Sequence, residues 1–357
     1  MKFSKKIIRW YKKNKRDLPW RKTNDPYKIW LSEIILQQTR INQGINYYLR
    51  FCDNYPNVNA LANDSEEHIL KIWQGLGYYS RARNMHKTAR FIVENYQGKF
   101  PKNYSDIIKL KGIGEYTAAA IASFAFNLVF PVVDGNVSRF LSRLNGIKTA
   151  VNSSEGKKEI LSLATELIDQ EHPGEFNQAI MEFGALQCKP QNPDCKSCIF
   201  CKECKAYEKN MVSDIPVKIN NVKIKKRHFH YFMLTFDDKI YLNKRTSKDI
   251  WHNLYDFPLI EGSRFIPKNK LIIKFANQFN IQQNKISIVK TSTNYKHILT
   301  HQQIFARFYE ITLEDQKLFD DFLSMSGNQF VCIPKKMINQ YPLPRLIDKY
   351  LIENYTI

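Results

Sequence analysis

The chain has 357 residues, 43% of them hydrophobic, and its 54 Lys and Arg against 34 Asp and Glu give a formal net charge of +20. This length favours two domains with sizeable cores, and positive charge spread along the whole chain predicts a polyanionic partner, with nucleic acid ahead of an anionic membrane surface. No apolar stretch is long enough to cross a membrane and the N-terminus lacks a signal peptide, so we expect a cytoplasmic protein without membrane contact.

Residues 1–207 predict an all-helical domain, because apolar residues recur at helical spacing and the alternation typical of strands is scarce. Ile29, Trp30, Ile34 and Ile35 form one such series. Residues 208–225 are mostly polar and include a proline, which predicts a linker. We consider this linker a candidate binding site for replication or repair proteins.

Residues 226–357 predict an α+β domain. The runs 228–236 and 239–245 are rich in β-branched and aromatic residues and flank a short turn, so they predict a hairpin. By the same criterion the remaining elements are strands at 286–292, 295–299 and 304–312 and helices at 270–279 and 344–355.

Glu33 lies in an apolar helical stretch, IWLSEIILQQ, and has two interpretations. It could occupy the surface of an amphipathic helix. If instead it faces a pocket, desolvation raises its pKa and keeps the carboxyl group protonated near neutral pH. Gln37 and Gln38 follow directly and are candidates for contacts with bases.

Asp134 directly precedes an apolar series at helical spacing, the position of a helix N-cap. A simple cap is worth about 1 kcal/mol. The N–H donors and the helix dipole also favour the ionised carboxylate, which could stabilise positive charge on a bound sugar. One carboxyl group held as an acid and another held as an anion are the pair used to cleave glycosidic bonds.

Gly112 and Gly114 lie in the stretch KGIGEYTAAAI, between an apolar segment and a helix. Glycines there permit a positive φ and leave backbone N–H groups accessible, which suits a phosphate at the helix start. Alone, this pattern is equally typical of a plain turn between helices.

Five cysteines fall between residues 188 and 204, which in a cytosolic chain predicts a metal site instead of disulfides. Cys188, Cys195, Cys198 and Cys204 could hold an iron–sulfur cluster or a structural zinc ion. Cys201 completes a second, evenly spaced set with Cys195, Cys198 and Cys204, and spacing alone does not choose between the two sets.

Five ordered segments resemble the MutY-type adenine DNA glycosylases of the helix-hairpin-helix superfamily: LPWRKTNDPYKIWLSEIILQQTRI, WQGLGYYSRARN, LKGIGEYTAAAIASFAF, PVVDGNVSRFLSR and the cysteine series. The resemblance implies a multi-domain protein. An all-α helix-hairpin-helix domain at 1–207, with a [4Fe-4S] loop at 188–204, would precede a Nudix-like α+β domain at 226–357.

The resemblance implies a monofunctional DNA glycosylase of base excision repair, which removes adenine mispaired with 8-oxoguanine or guanine. Glu33 would protonate the adenine ring, and Asp134 would stabilise the oxocarbenium-like sugar with help from Asn136. Tyr116 stands where endonuclease III-type enzymes carry a lysine that forms a Schiff base, and a phenol cannot form that imine. Tyr116 would instead pack on the flipped nucleotide near Asp134.

The remaining family roles concern DNA and metal. Gln38 and one tyrosine of the pair Tyr78 and Tyr79 would fill the gap left by the flipped base, although both tyrosines could equally be core aromatics. The family pattern makes Cys188, Cys195, Cys198 and Cys204 the cluster ligands and leaves Cys201 free. Lysines of this loop, namely Lys196, Lys202 and Lys205, would then face phosphate.

The second half resembles the lesion-reading domain of this family in IYLNKRTSKDIWHNLYDFPLIE and YKHILTHQ. Thr300 and His301 would lie in the loop that contacts 8-oxoguanine, although an ordinary hairpin is the alternative. After residue 226 the sequence lacks the glutamate-rich RExxEE helix of active Nudix hydrolases, so we expect a reader and not a pyrophosphatase.

The expected partner is double-stranded DNA with an adenine mispair, bound by a monomer. Two other functions stay open at this point. One is a bifunctional glycosylase and lyase of the endonuclease III type, acting on damaged or mismatched pyrimidines. The other is a DNA-binding protein without catalysis.

Overall fold

The structure, a computed structural model, describes residues 2–219, 224–279, 281–313 and 330–355. The chain divides into two compact units, Met1–Asp64 with Arg83–Asn220, and Ser65–Ala82 with Asn221–Ile357. Residues 65–82 thus pack with the C-terminal part of the chain. The predicted linker includes residues 220–223, which lie outside the described residues, so its bounds stay a prediction.

The first unit is helical. The helices from α1 to α12 in chain order are Phe3–Asn14, Pro26–Leu36, Ile41–Asn54, Val58–Asn63, Glu66–Trp73, Ser80–Tyr96, Tyr104–Ile107, Glu115–Phe126, Gly135–Asn145, Ser154–Leu167, Pro173–Leu186 and Lys205–Glu208. Of these, α5 and the first turn of α6 belong to the second unit. No helix among the described residues is long and apolar enough to cross a membrane.

Local capping determines where the helices of the first unit begin. Asp25 caps α2 by accepting a hydrogen bond from the N–H of Tyr27 at 2.9 Å, and Pro26 occupies the first turn, where a missing N–H costs nothing. Helix α9 begins after Asp134 and ends at Gly146, whose φ of +68° closes the helix. Because α2 packs against α8 and α9 packs against α11, these helix starts are held in fixed positions.

An aromatic core joins the cysteine loop to the helices. Phe200, in the loop, is 2% exposed, and its ring centroid lies 5.5 Å from that of Phe140 on α9 and 5.4 Å from that of Phe183 on α11. Burying three such side chains contributes several kcal/mol. The loop is therefore fixed to the helix that Asp134 caps.

The second unit is an α+β domain. Its strands, β1 to β8, are Lys225–Phe236, Lys239–Lys244, Tyr255–Asp256, Leu259–Gly262, Ile286–Thr291, Tyr295–Ile298, Gln302–Leu313 and Phe330–Pro334. Its two further helices are α13 (Lys268–Gln278) and α14 (Arg345–Asn354). The predicted fold class is confirmed, including the hairpin of β1 and β2, which pairs Phe236 with Lys239. Strands β3, β4 and β8 were absent from the sequence prediction.

The long strands β1 and β7 pair in parallel at the centre of the sheet. Successive side chains of a strand point to opposite faces. On one face Phe308 stacks on Tyr350 of α14 with ring centroids 3.9 Å apart, and on the other Phe232 packs against Phe275 of α13 at 4.3 Å. One helix therefore covers each face of the sheet.

Candidate active site

A cleft of about 1480 Å³ opens in the first unit and brings the four predicted catalytic residues together. Glu33 reaches it from α2 and Tyr116 from α8, while Asp134 and Asn136 reach it from the start of α9. Gln37, Gln38 and Gly114 also line the cleft. Such a concave site with converging polar groups is typical of a substrate pocket.

Glu33 is buried, with 7% of its surface exposed, so its surface interpretation is wrong. Burial, together with the nearby charge of Asp134, raises its pKa to about 7 against the opposing effects of Tyr116 and Arg21. Tyr116 forms a hydrogen bond with the Glu33 carboxyl group. A carboxylic acid with this pKa can both donate and accept a proton near neutral pH.

Asp134 caps α9 as predicted. Its Oδ1 accepts from the N–H of Val137 at 2.7 Å, and its Oδ2 accepts from Asn136 Nδ2 at 2.7 Å. Burial nevertheless raises the pKa of Asp134 above its ordinary value, and the hydrogen bonds offset only part of that rise. We predicted that the N–H donors and the helix dipole favour the ionised carboxylate; the donors do lower its pKa, but desolvation, which the prediction left out, outweighs them.

Arg139 connects Asn136 to the cysteine loop. Its Nη2 donates to Asn136 Oδ1 at 2.9 Å and to the carbonyl of Gly184 at 2.7 Å, and its Nε donates to the carbonyl of Cys188 at 2.8 Å. Asn136 is thereby oriented to donate to Asp134. Arg139 was not predicted as a site residue, because a lone arginine on a helix carries no signal of its partners.

A buried ion network lines the same cleft and was also absent from the sequence prediction. Glu182 on α11 is 1% exposed and accepts hydrogen bonds from the side chains of Arg16 and Arg21. Burial alone would raise the pKa of Glu182, but the two arginines outweigh it and hold the pKa at about 2. Arg21 also interacts with Glu33, so this network contributes to the field around the candidate acid.

The hairpin between α7 and α8 carries the two glycines that we predicted to approach a phosphate. Gly112 is exposed with a φ of +80°, and an added Cβ would lie 2.8 Å from the side chain of Asn84. Gly114, also exposed, caps α8 and has open space where a side chain would be. Ile113 between them is buried, which anchors the turn. An alanine at Gly112 would be strained both by the positive φ and by the contact of its Cβ with Asn84.

The cysteine loop encloses a small cavity of about 30 Å³, lined by Cys188, Cys195, Cys198, Cys201 and Cys204. Burial raises the pKa of Cys188 and Cys195, and that of Cys198 to about 12. Arg143 Nη1 donates to the Cys188 sulfur at 3.5 Å and the N–H of Phe200 donates to the Cys198 sulfur at 3.4 Å. Among the described residues, no three His, Cys, Asp or Glu side chains form a site for a single metal ion.

The remaining predicted DNA contacts lie in the second unit. Tyr78 is 45% exposed, whereas Tyr79 is 5% exposed and its hydroxyl donates to the carbonyl of Leu343 at 3.2 Å. Tyr79 is therefore a core aromatic and not a DNA contact. Thr300 and His301 form the exposed tip of the hairpin between β6 and β7, and the Thr300 hydroxyl hydrogen-bonds to that of Tyr78.

Comparison with known proteins places this site in a family. Residues 31–170 match the HhH-GPD superfamily of base excision DNA repair proteins, and residues 230–353 match the NUDIX domain. Adenine DNA glycosylase from Buchnera aphidicola subsp. Baizongia pistaciae is 36% identical over 354 residues, covering 97% of this chain and 96% of that protein. The chain belongs to the adenine DNA glycosylase family. The predicted family and the predicted enzyme class, a DNA glycosylase, are confirmed.

Two further similarities agree with this assignment. The adenine DNA glycosylase of Buchnera aphidicola subsp. Schizaphis graminum is 39% identical, over 76% of this chain and 80% of that protein. The solved structure of a thermostable thymine-DNA glycosylase is 32% identical with a TM-score of 0.54, over 58% of this chain and 95% of that chain. This second match supports the helical glycosylase fold. As a member of the adenine DNA glycosylase family, the present chain acts on DNA.

The raised pKa of Glu33 predicts how the reaction rate depends on pH. A proton donor must be protonated, so the single-turnover rate should fall as pH rises through about 7. The folded state retains this proton above the ordinary carboxyl pKa, so the stability that Glu33 contributes should also decline as pH rises towards about 7. Single-turnover rates from about pH 6 to about pH 9 test this, and a rate that stays constant across this range would contradict the assignment.

Proposed function

We propose that this chain hydrolyses the N-glycosidic bond of adenine mispaired with 8-oxoguanine or guanine and leaves the DNA backbone intact. One observation carries the proposal: Glu33, buried and hydrogen-bonded to Tyr116, shares a cleft with Asp134 at the start of α9. Glu33 is suited to donate a proton, and Asp134 is suited to stabilise positive charge on the sugar.

The residues of the cleft suggest the order of events. Glu33 donates its proton to the adenine ring, which makes the base a better leaving group. As the glycosidic bond breaks, the sugar gains positive charge, and the Asp134 carboxylate, oriented by Asn136, stabilises it. Glu33, now ionised, accepts a proton from the water that attacks the sugar, and the acid is restored.

The identity of residue 116 supports a glycosylase without lyase activity. Tyr116 is a phenol whose pKa is raised further by burial and by the nearby Glu33, so it stays neutral. It cannot form the Schiff base that strand cleavage by a lyase requires. Lys157 and Lys158 also line the cleft, but both are exposed on α10 and neither occupies the position of residue 116, where a lyase carries its lysine.

An alkali test distinguishes this function from its alternatives. Duplexes with adenine opposite 8-oxoguanine are incubated with the protein and divided into samples with and without alkali. Breaks that form only after alkali support a monofunctional glycosylase. Breaks without alkali would favour a lyase, and intact strands in both samples would leave a DNA-binding protein without catalysis.

We infer that Cys188, Cys195, Cys198 and Cys204 hold a [4Fe-4S] cluster. The thiols line one cavity, and N–H donors from Arg143 and Phe200 would stabilise thiolates there. In such a cluster each thiolate binds a different iron, so the four sulfurs need not converge on one ion. Hydrolysis of the N-glycosidic bond transfers no electron, so the cluster would have a structural role. It would brace a loop whose exposed Lys196, Lys202 and Lys205 face phosphate.

The second unit would read the base opposite adenine. The exposed Tyr78, hydrogen-bonded to Thr300, and the adjacent His301 form a polar and aromatic surface suited to a base edge. Helix α13 carries no acidic residue, in keeping with a reader domain without pyrophosphatase activity. We further propose that the protein acts as a cytoplasmic monomer, with residues 208–225 as the linker.

Replacing Thr300 and His301 together by alanine should narrow the preference for 8-oxoguanine over guanine by about thirtyfold, because two contacts of about 1 kcal/mol each are lost. Single-turnover rates on the two duplexes measure this ratio. Thr293→Ala, at an exposed position in the loop between β5 and β6, is the control. A ratio unchanged in the Thr300 and His301 variant would remove this hairpin from lesion reading.

A further inference from the structure

The loop of residues 74–79 joins α5 to α6 in the second unit and carries Tyr78. Its backbone is left-handed at three positions, with φ of +99° at Gly75, +73° at Gly77 and +48° at Tyr78. This conformation costs a residue with a side chain about 1–2 kcal/mol. Contacts on both sides of Tyr78 must therefore hold the loop in place.

Gln74 fixes the start of this loop. Its Nε2 donates to Asp348 Oδ1 at 3.0 Å, and its Oε1 accepts from the N–H of Leu343 at 3.0 Å and from Lys71 Nζ at 3.2 Å. Both ends of the side-chain amide are thus hydrogen-bonded to residues 343–348, which form the loop before α14 and its first turn. The Asp348 carboxylate can only accept a hydrogen bond and the Leu343 N–H can only donate one, so the Gln74 amide nitrogen must face Asp348 and its oxygen must face Leu343.

Leu343 holds the other end of the loop as well, because its carbonyl accepts from the hydroxyl of Tyr79 at 3.2 Å. Leu343 is 1% exposed and lies between two prolines, so its N–H is the one backbone donor of residues 342–344. The carbonyl of Pro342 accepts from the N–H of Tyr255 at 2.9 Å, which ties this segment to β3. The loop is therefore anchored to the sheet.

Between these two anchors, Arg81 and Thr300 hold the tip of the loop. Arg81 Nη2 donates to the carbonyl of Gly77 at 3.2 Å, and its guanidinium lies 5.8 Å from the centre of the Tyr78 ring. The Tyr78 hydroxyl pairs with Thr300 Oγ1. A loop released at Gln74 would no longer keep Tyr78 beside Thr300.

We propose that Gln74 is a positioning residue for recognition of the base opposite adenine. It acts through Asp348 and the backbone of Leu343, which together keep Tyr78 paired with Thr300. The inference rests on the proposed function, because it assigns the origin of the lesion preference. Gln74 is not among the residues that line the cleft of Glu33 and Asp134.

Two variants test this role. Gln74→Met keeps the length of the side chain and removes its hydrogen bonds to Asp348, Leu343 and Lys71. It should lower the ratio of single-turnover rates on 8-oxoguanine and guanine duplexes by about fivefold, the effect of about 1 kcal/mol. Gln74→Glu combined with Asp348→Asn restores the hydrogen bond between residues 74 and 348, now with the donor on residue 348, and keeps the one from the Leu343 N–H. This double variant should return the ratio of rates to near wild type. Gln278→Met, at an exposed glutamine of α13, is the matched control.

Hydrogen exchange of residues 74–79 in the DNA-free protein gives a second readout. Exchange should be faster in Gln74→Met and near wild type in the double variant. An unchanged rate ratio in Gln74→Met would overturn the inference, whether or not exchange changes. A wild-type ratio near one would instead contradict the lesion-reading function itself, so the two failures are distinguishable.

Discussion

Replacing Glu33 by glutamine is expected to lower the single-turnover rate of adenine release by a factor on the order of 10²–10⁴, the usual contribution of general acid–base catalysis. Glutamine matches the shape of glutamate and can still accept a hydrogen bond from Tyr116. It cannot give a proton to adenine or take one from water. Affinity for the mispaired duplex should stay near wild type, because the loss falls on the chemical step.

The stability of the Glu33→Gln variant provides an internal check. Above about pH 7 the wild-type protein holds an ionised carboxylate in a buried site, so the uncharged variant should be at least as stable there. Glu94→Gln, at an exposed position on α6, is the matched control and should keep the wild-type rate. Turnover in Glu33→Gln within a few-fold of wild type would remove Glu33 from the role of the acid.

Replacing Asp134 by asparagine is expected to lower the same rate by a factor on the order of 10²–10³, the loss seen when one preorganised electrostatic contact is removed. Asparagine caps helices about as well as aspartate, so α9 should still form. The sugar would then develop positive charge opposite a neutral amide. Single-turnover adenine release together with thermal unfolding separates this effect from misfolding.

Asp25→Asn is the control for Asp134→Asn, because Asp25 is also an N-cap, on α2, and accepts from the N–H of Tyr27. Both variants should unfold within a few degrees of the wild type, and only Asp134→Asn should lose activity. Equal losses in the two variants would show that capping, and not charge at the sugar, explains the result.

The sequence predicted the elements with strong local signals. Asp134 was identified as a cap because an apolar helical series follows it, and the β1–β2 hairpin was identified because two aromatic-rich runs flank a short turn. Strand β8 carries a weaker local signal: only five residues, Phe330–Pro334, pair with β2 from about ninety positions away. Such pairing depends on the assembled sheet and not on the local sequence.

The candidate site was predictable in its residue types but not in its supporting contacts. Sequence alone could not choose between Tyr78 and Tyr79, since they are neighbours and their burial depends on Leu343, far along the chain. The pKa of Asp134 depends on its depth in the cleft, which no motif encodes. Arg139 was missed for the same reason: its partners, among them Gly184, are distant in the sequence.

The most direct test of the proposed reaction is to identify the base released from a duplex that contains adenine opposite 8-oxoguanine, by mass spectrometry of the small-molecule fraction under single turnover. We expect free adenine in an amount equal to the alkali-labile sites, with 8-oxoguanine retained in its strand. Release of 8-oxoguanine or a pyrimidine, or strand breaks equal to the released base without alkali, would contradict it.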